Sequence, residues 1–289
     1  MNSPYGYLVW RTDRSYADRV TSWESSISAE VLACHRVGGR VTLTLTRPDQ
    51  LNSFDTALQD AMRAAVDGAA ADDSVRCLVI TGRGRAFSAG ADLGIDPDSD
   101  ARLAPRTEQE LRTRYNPIIR SIRAMPKPVV AAVNGPAIGV GCAIAMACDH
   151  VVAARRASFS LAFANVGLTL DAGASLLLGA RVGFGRASRM ALLSESVDAS
   201  TALEWGMVDA VVSDDDLDAH VDAVAEKLAL GPTQAYAATK RSLNAALLPH
   251  LDAAFEVEVQ GQTELVDSPD FREGVRAFTG RRRPVFYGR

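Results

Sequence analysis

Two glycine-rich loops carry the pattern in this chain that is best suited to chemistry on a carbonyl group. The first lies within CLVITGRGRAFSAGADL, residues 77–93, and the second within AVNGPAIGVGCAIAMACD, residues 132–149. Each passes from an apolar strand through glycines to the start of a helix, which leaves backbone N–H groups without side-chain cover. Such N–H groups favour negative charge, so two loops directed at one oxygen predict an oxyanion site.

Neither loop matches the common nucleotide-binding motifs. No Gly-Lys-Ser/Thr sequence follows either loop, and GVGCAI lacks the last glycine of the dinucleotide fingerprint. Taken singly, each loop also fits a tight turn between two buried elements. The presence of both loops is what favours chemistry on an acyl group or an enolate.

One carboxylate, Asp171 in GLTLDAGAS, stands just before a helix of small and apolar residues. Aspartate is a preferred N-cap residue, so the residues alone favour a capping role. The alternative is an acid or base that acts on a substrate held by the two loops.

The elements that position these residues follow an α/β pattern. Short apolar or alternating runs predict strands at 41–45, 77–81, 129–133, 150–154 and 158–162. Apolar periodicity predicts helices after the N-cap candidate Asp55 and at 107–124, 175–180, 234–247, 251–262 and 271–278. We predict an N-terminal extension over 1–28, a core over 29–230 and a helical C-terminal region over 231–289, with a mobile loop at 94–105.

Composition excludes several classes of protein. The 289-residue chain has a formal net charge of -4 and no basic stripe, which disfavours nucleic acid as a partner. Its four cysteines lack metal-ligand spacing, so we predict buried free thiols in a reducing compartment and no metal site. No secretion signal or membrane-spanning run is evident, which predicts a cytoplasmic protein without membrane contact.

The order and spacing of five segments resemble the enoyl-CoA hydratase/isomerase, or crotonase, family over about residues 31–289. These segments are FSAGADL, NGPAIGVGCAIAMACD, SFSLAFANVGLTLDAGAS, ALEWGMVDAVV and FTGRRRPVFYGR. The resemblance implies a spiral of repeated β-β-α units and an acyl-CoA substrate, with coenzyme A as part of the substrate and no separate cofactor. It also implies that the C-terminal helices form homotrimers or dimers of trimers.

The resemblance further implies roles for individual residues. By matching position, the amides of Ala91 and Val140 hold the thioester oxygen, and Val140 replaces the middle residue of a glycine triplet found in most members. Seven other residues fall on the coenzyme A side: Arg47, Leu51, Asn52, Ser88, Ala89, Asp92 and Leu93. For Asp92, the local sequence favours a side chain that fixes its loop rather than a catalyst.

The acid and base of a family hydratase are missing from this chain. The two glutamates that flank a water in those enzymes fall at Ala143 and Phe163, and neither side chain transfers a proton. Asp171, however, matches an aspartate used by some isomerase members and by the dehalogenating branch. We therefore predict an enoyl-CoA isomerase with Asp171 as acid and base, and with Phe163 as an apolar wall that raises its pKa.

Two alternatives remain open at this point. One is a hydratase that takes substitute carboxylates from residues 94–115. The other is a protein that binds acyl-CoA without turning it over.

Overall fold

The computed structural model describes residues 22–25, 27–92, 94, 99 and 101–288. Its strands are β1 (Leu32–Val37), β2 (Arg40–Leu45), β3 (Cys77–Gly82), β4 (Val129–Val133), β5 (Ala137–Ile138), β6 (His150–Ala154), β7 (Ser158–Ser160), β8 (Val197–Asp198) and β9 (Ala210–Val212). Its helices up to the second glycine loop are α1 (Ser22–Ser25), α2 (Thr56–Ala71), α3 (Ala104–Glu110), α4 (Asn116–Ala124) and α5 (Val140–Ala147). The remaining helices are α6 (Ala174–Val182), α7 (Phe184–Leu193), α8 (Ala199–Glu204), α9 (Leu217–Leu230), α10 (Thr233–Leu247), α11 (Leu251–Leu265) and α12 (Pro269–Thr279).

The strands form two sheets. The larger has the order β1-β2-β3-β4-β6-β9 and is parallel except for the β1–β2 hairpin. The smaller has the order β5-β7-β8, with β5 parallel to β7 and β7 antiparallel to β8. The prediction of an α/β fold is confirmed.

Both faces of the larger sheet are buried, as parallel sheets require. All five residues of β4, VVAAV, are buried, and they alternate between two apolar clusters. One cluster contains the inner faces of α2, α4 and α5, and the other contains Leu217, Val221 and Ala225 of α9. This frame fixes the carboxyl ends of β3 and β4, from which the two glycine loops leave.

Local signals in the sequence account for several boundaries. Asp55 caps α2, since its side chain accepts a hydrogen bond from the Leu58 amide at 2.8 Å. Helix α3 begins at Ala104, so the predicted loop of 94–105 ends earlier than expected. Pro105 stands in the first turn of α3, where its missing N–H costs nothing. The Leu103 amide donates to Asp267 at 2.7 Å, which ties this start to the C-terminal part of the chain.

A π-helical turn, Leu111–Tyr115, connects α3 directly to α4. The apolar periodicity of this stretch did not predict it. Such turns are rare and often occur at functional sites. The C-terminal helices fold back onto the body of this same chain, where α11 packs on α3 and α6 and α12 packs on the Phe163–Val166 turn.

The predicted N-terminal extension lies mostly outside the described residues. Within it, Ser22–Ser25 attaches to the core: Trp23 Nε1 donates to Asp72 at 3.1 Å, and Glu24 pairs with Arg36 at 2.7 Å. None of the described helices is long and apolar enough to span a membrane. All four cysteines, Cys34, Cys77, Cys142 and Cys148, are free thiols, and only Cys34 is not fully buried.

Candidate active site

The two glycine loops are brought into direct contact. Ser88 pairs with Ala137 in a parallel bridge, and the Ile138 amide donates to the Ser88 carbonyl at 2.9 Å. A Cβ atom at Gly90, whose φ is +93°, would lie 2.9 Å from the Ile138 carbonyl oxygen. One at Gly141 would lie 2.7 Å from the Ser88 Cβ. Both positions therefore require glycine, because a side chain would separate the loops.

Each loop presents one unpaired amide. Val140 is the first residue of α5, and its N-cap, Gly139, has no side chain to accept a hydrogen bond. Ala91 pairs with Phe54 in a second isolated bridge. Throughout the described part of the chain, neither the Ala91 N–H nor the Val140 N–H finds an acceptor. Two donors are thus free for an oxygen of a ligand.

Both amides line one cavity of about 680 Å³. The loops, the α3 and π-helical segment, α11 and α12 all contribute to its wall. The wall is mainly apolar and includes the aromatic residues Phe54, Tyr115, Phe163, Phe271 and Phe278. A cavity of this size and character suits an acyl chain or ring, with the two donors fixing its carbonyl end.

Asp171 lines the same cavity. Its Oδ2 accepts a hydrogen bond from Gln262 Nε2 at 3.1 Å, whereas its Oδ1 is shielded from solvent and has no partner among the described residues. Burial, with a smaller contribution from the nearby charge of Glu258, raises the pKa of Asp171 to about 8, although the Gln262 hydrogen bond opposes both effects. Asp171 therefore carries a proton at neutral pH far more often than an ordinary aspartate does.

The Asp171 side chain does not cap α6, so the capping interpretation is wrong. The N-cap residue is Gly173, and Asp171 contributes only its backbone oxygen, which accepts from the Ala174 amide at 2.9 Å. Glu258 of α11 takes the capping position instead, because its carboxylate accepts from the amides of Gly173 at 2.7 Å and Ser175 at 3.0 Å. The cap is therefore supplied by a residue 85 positions after Gly173 and 83 after Ser175.

Five of the residues predicted for the thioester and the coenzyme A side line the cavity: Leu51, Ala89, Ala91, Asp92 and Val140. Leu93 lies outside the described residues. Arg85, which the sequence did not single out, also lines the cavity and is exposed. It adds a positive charge at the rim.

Three predicted residues of the coenzyme A side stand behind this wall. Asn52 is fully buried, and its amide nitrogen donates to the carbonyl groups of Arg83 and Ala86. Ser88 is also fully buried, and its hydroxyl donates to the Asn52 carbonyl at 2.8 Å. Arg47 pairs with Asp55 at 3.1 Å and Asp92 at 3.3 Å. The polar atoms of these three side chains are thus bonded to other groups of the protein. These bonds hold the first loop in place.

The two positions of the missing hydratase glutamates differ in their surroundings. Ala143 is buried in the core on α5 and is not part of the cavity wall. Phe163 lines the cavity and packs against the core. Glu110, the one described carboxylate of 94–115 in the wall, accepts a hydrogen bond from Arg106 at 2.8 Å.

A polar pair that sequence reasoning missed also borders the cavity. Gln59 Nε2 donates to the Tyr115 hydroxyl at 2.8 Å, and burial raises the pKa of Tyr115 well above its usual value. The π-helical turn ends at Tyr115 and directs it to this position, and no local pattern marks that turn.

Comparison with known proteins identifies the family. The model of the enoyl-CoA hydratase/isomerase family matches residues 38–289. The chain is 39% identical over 263 residues to a 1,2-epoxyphenylacetyl-CoA isomerase from Escherichia coli, with 90% of this chain and 99% of that protein covered. It is 35% identical over 256 residues to a trans-2-decenoyl-[acyl-carrier-protein] isomerase from Streptococcus mutans, covering 87% and 95% of the two chains.

A solved structure agrees with both sequence comparisons. The crystal structure of an enoyl-CoA hydratase from Mycobacterium avium subsp. paratuberculosis superimposes with a TM-score of 0.81 at 43% identity. The superposition covers 90% of this chain and 99% of the hydratase chain, which confirms the predicted crotonase fold. The chain is an enzyme of the enoyl-CoA hydratase/isomerase family.

Proposed function

We propose that this enzyme shifts the double bond of an enoyl-CoA thioester, with Asp171 as the acid and base. The observation that carries the proposal is one cavity that contains two unpaired amides and a single shielded carboxyl group. This set of groups is sufficient for a proton transfer between two carbons. The other described carboxylates in the wall are Asp55, Asp92 and Glu110, which pair with arginines, and the exposed Asp49.

The reaction begins with the thioester oxygen between the amides of Ala91 and Val140. The Asp171 carboxylate removes a proton from the α-carbon of a 3-enoyl thioester, and the electron pair moves through the double bond system onto the thioester oxygen. The two amides stabilise the resulting dienolate, each by about 3 kcal/mol in the transition state. Asp171 then returns the same proton to the γ-carbon, which gives the 2-enoyl isomer without gain or loss of atoms.

The pKa of Asp171 suits both halves of this transfer. A carboxyl group with a pKa of about 8 is a stronger base than an ordinary aspartate and still gives up its proton near neutral pH. Phe163 contributes to the same mainly apolar wall, and an apolar surrounding disfavours the charged carboxylate.

The alternative of ordinary hydration is less well supported. Water addition needs a positioned acid and base, and the corresponding positions hold Ala143 and Phe163. Glu110 is the described candidate for a substitute, and its carboxylate is already paired with Arg106. Relatives of this chain carry isomerase names at 39% and 35% identity and hydratase names at 41% and 43%, so the proposal rests on the residues of the cavity.

We further propose that Leu51, Ala89 and Asp92 contact coenzyme A and that the exposed Arg85 meets its phosphates. We place the enzyme in the cytoplasm as a homotrimer or dimer of trimers. The apolar side chains of Leu243, Leu247 and Val257 on the C-terminal helices support self-association, since all three are more than half exposed in the single chain. Sedimentation of the purified protein tests the assembly.

The deciding experiment is conversion of a 3-enoyl-CoA to its 2-enoyl isomer, followed by chromatography of the two thioesters. We expect turnover by the wild type and a loss of about 10²- to 10⁴-fold in kcat for Asp171→Asn. Asp252→Asn, which removes an exposed carboxylate of α11 outside the cavity, is the matched control and keeps wild-type turnover. No conversion by the wild type, or equal conversion by Asp171→Asn, would refute the proposal.

A further inference from the structure

Helix α11 lies against the segment that carries Asp171 at unusually short range. A Cβ atom at Gly261, in the middle of α11, would lie 2.8 Å from Thr169 Cγ2. One at Gly173 would lie 3.0 Å from the ring of Phe255. Glycine inside a helix is less favourable than alanine, and here it permits close contact between the two elements.

The segment itself adopts a conformation that needs such support. Ala172 and Gly173 both have positive φ, +53° and +74°, and Ala172 is fully buried. The left-handed region is sterically unfavourable for alanine. Neighbouring contacts must therefore hold the chain in this shape at the residue directly after Asp171.

Glu258 provides the first of these contacts. Its carboxylate is 5% exposed and accepts three hydrogen bonds, from the amides of Gly173 and Ser175 and from the Ser175 hydroxyl at 2.6 Å. Since these amides are already satisfied, the Asp171 carboxyl is not drawn to the positive end of its own helix.

Gln262 provides the second contact. It stands one helical turn after Glu258 on the same face of α11 and is 2% exposed. Its Nε2 donates to Asp171 Oδ2 and also to the Thr169 carbonyl at 2.8 Å. One carboxyl oxygen of Asp171 is thereby fixed, and the other, Oδ1, has no partner in the described part of the chain.

We propose that Glu258 and Gln262 are positioning residues for Asp171: Glu258 occupies the start of α6 so that the Asp171 carboxyl stays in the cavity, and Gln262 orients it with Oδ1 as the oxygen that exchanges the proton. The inference rests on the proposed function in taking Asp171 as the acid and base. Neither positioning residue needs to touch the substrate.

The polar groups that bear on Asp171 come from two directions. Glu258 and Gln262 face it from α11, and Tyr115 lies near it at the end of the π-helical turn. Of these, the charge of Glu258 raises the pKa of Asp171, while the amide hydrogen bond of Gln262 lowers it. Removing each group should therefore move the pKa of Asp171 in opposite directions.

The test is the titration of the Asp171 carboxyl carbon by NMR in the substrate-free full-length protein, together with kcat and KM. The resonance is assigned by its absence in Asp171→Asn. We expect Glu258→Gln to lower the pKa of Asp171 and Gln262→Met to raise it. Both variants should lose about 10- to 100-fold in kcat with less than about a threefold change in KM. The matched control, Glu256→Gln, removes an exposed carboxylate from the same helix and leaves both quantities unchanged.

General loosening of the site would give a different result, because water entering the site would lower the pKa of Asp171 in both variants. Shifts in the same direction, or no shift, would overturn the inference. If Glu258→Gln does not fold, Ser175→Ala, which removes one of the three hydrogen bonds to Glu258, and Gln262→Met still test it. The titration needs no turnover, so a failure of the isomerase assay and a failure of the positioning inference are separate outcomes.

Discussion

The starts of α5 and α6 lie beside the same cavity and are used in opposite ways. Helix α5 begins at Val140 with no side chain over its first amide, which stays free. Helix α6 begins near Asp171, but Glu258 from α11 covers its amides. One positive helix end is thus available to a ligand oxygen, and the other is neutralised within the protein.

The difference explains how a single aspartate can serve as a base beside a helix start. An uncovered α6 would hydrogen-bond the Asp171 carboxylate, lower its pKa and hold it as a cap. With Glu258 in that place, burial and a like charge raise the pKa of Asp171 to about 8. Substitutions at the start of either helix test this difference.

The largest effect is expected from removing the free amide of α5. In Val140→Pro the N–H is lost, but proline is well tolerated at the first position of a helix, and Gly139 before it is conformationally permissive. We expect a loss of about 10²- to 10³-fold in kcat for 3-enoyl-CoA isomerisation. Val140→Ala keeps the N–H and should lose less than about tenfold. Equal losses in the two variants would contradict a role for this amide.

A smaller effect is expected from moving the two loops apart. In Gly141→Ala the new Cβ would lie 2.7 Å from Ser88 Cβ and 2.9 Å from its carbonyl oxygen, so the backbone must shift. We expect kcat to fall about 10- to 100-fold and the free energy of unfolding to fall by about 1–3 kcal/mol.

The control for this change is another helical glycine. A Cβ at Gly179 of α6 meets nothing within 4 Å, so Gly179→Ala should stabilise the protein by up to about 1 kcal/mol. Urea unfolding measures both variants. A neutral Gly141→Ala would show that the loops need not approach as closely as described.

A third prediction concerns stability and pH. Since the pKa of Asp171 is raised to about 8, the folded protein keeps a proton that the unfolded chain releases above about pH 4. This group therefore lowers stability progressively as pH rises, by at most about 1.4 kcal/mol per pH unit, until the pH passes 8. The Asp171→Asn variant has no such group and does not lose stability in this way. Its free energy of unfolding relative to wild type should therefore increase between pH 5 and pH 8 and then level off.

Urea unfolding at fixed protein concentration across this pH range measures that difference. Asp252→Asn serves as the control, because an exposed carboxylate should show no such growth. A difference between Asp171→Asn and wild type that does not vary with pH would mean that the Asp171 carboxyl is not held in a buried site.

The smallest effect is expected at the cap of α6. Ser175→Ala removes the hydroxyl that donates to Glu258 at 2.6 Å but keeps both backbone hydrogen bonds to that carboxylate. We expect a loss of about 1 kcal/mol in the free energy of unfolding. Ser242→Ala, whose exposed hydroxyl bonds only within α10, should change it by less than about 0.5 kcal/mol. Equal effects would show that the Glu258 cap contributes nothing measurable.

Much of the fold could be predicted from the sequence because its signals are local. The runs CLVIT and VVAAV match β3 and β4 within one residue, and Asp55 caps α2 as its type predicts. The glycines of the two loops likewise indicated free amides. Ala91 and Val140 lie in one cavity with Asp171, although their assignment to catalysis stays a prediction.

The role of the acidic residue at the start of α6 could not be predicted in the same way. An aspartate before small residues has the same local pattern whether it caps its helix or faces a cavity. The difference comes from Glu258, on a helix that contacts this segment only in the folded chain. The same applies to Tyr115, whose direction depends on a π-helical turn that leaves no periodic signal in the sequence.

The most direct test of Asp171 as the acid and base is the pH dependence of kcat/KM for isomerisation of a 3-enoyl-CoA. If Asp171 is the base, kcat/KM should rise tenfold per pH unit below about pH 8 and become constant above it, and this limb should be absent from the residual activity of Asp171→Asn. A profile that is flat from pH 5 to pH 9, or a limb that persists unchanged in Asp171→Asn, would contradict the assignment of Asp171 as the group that moves the proton.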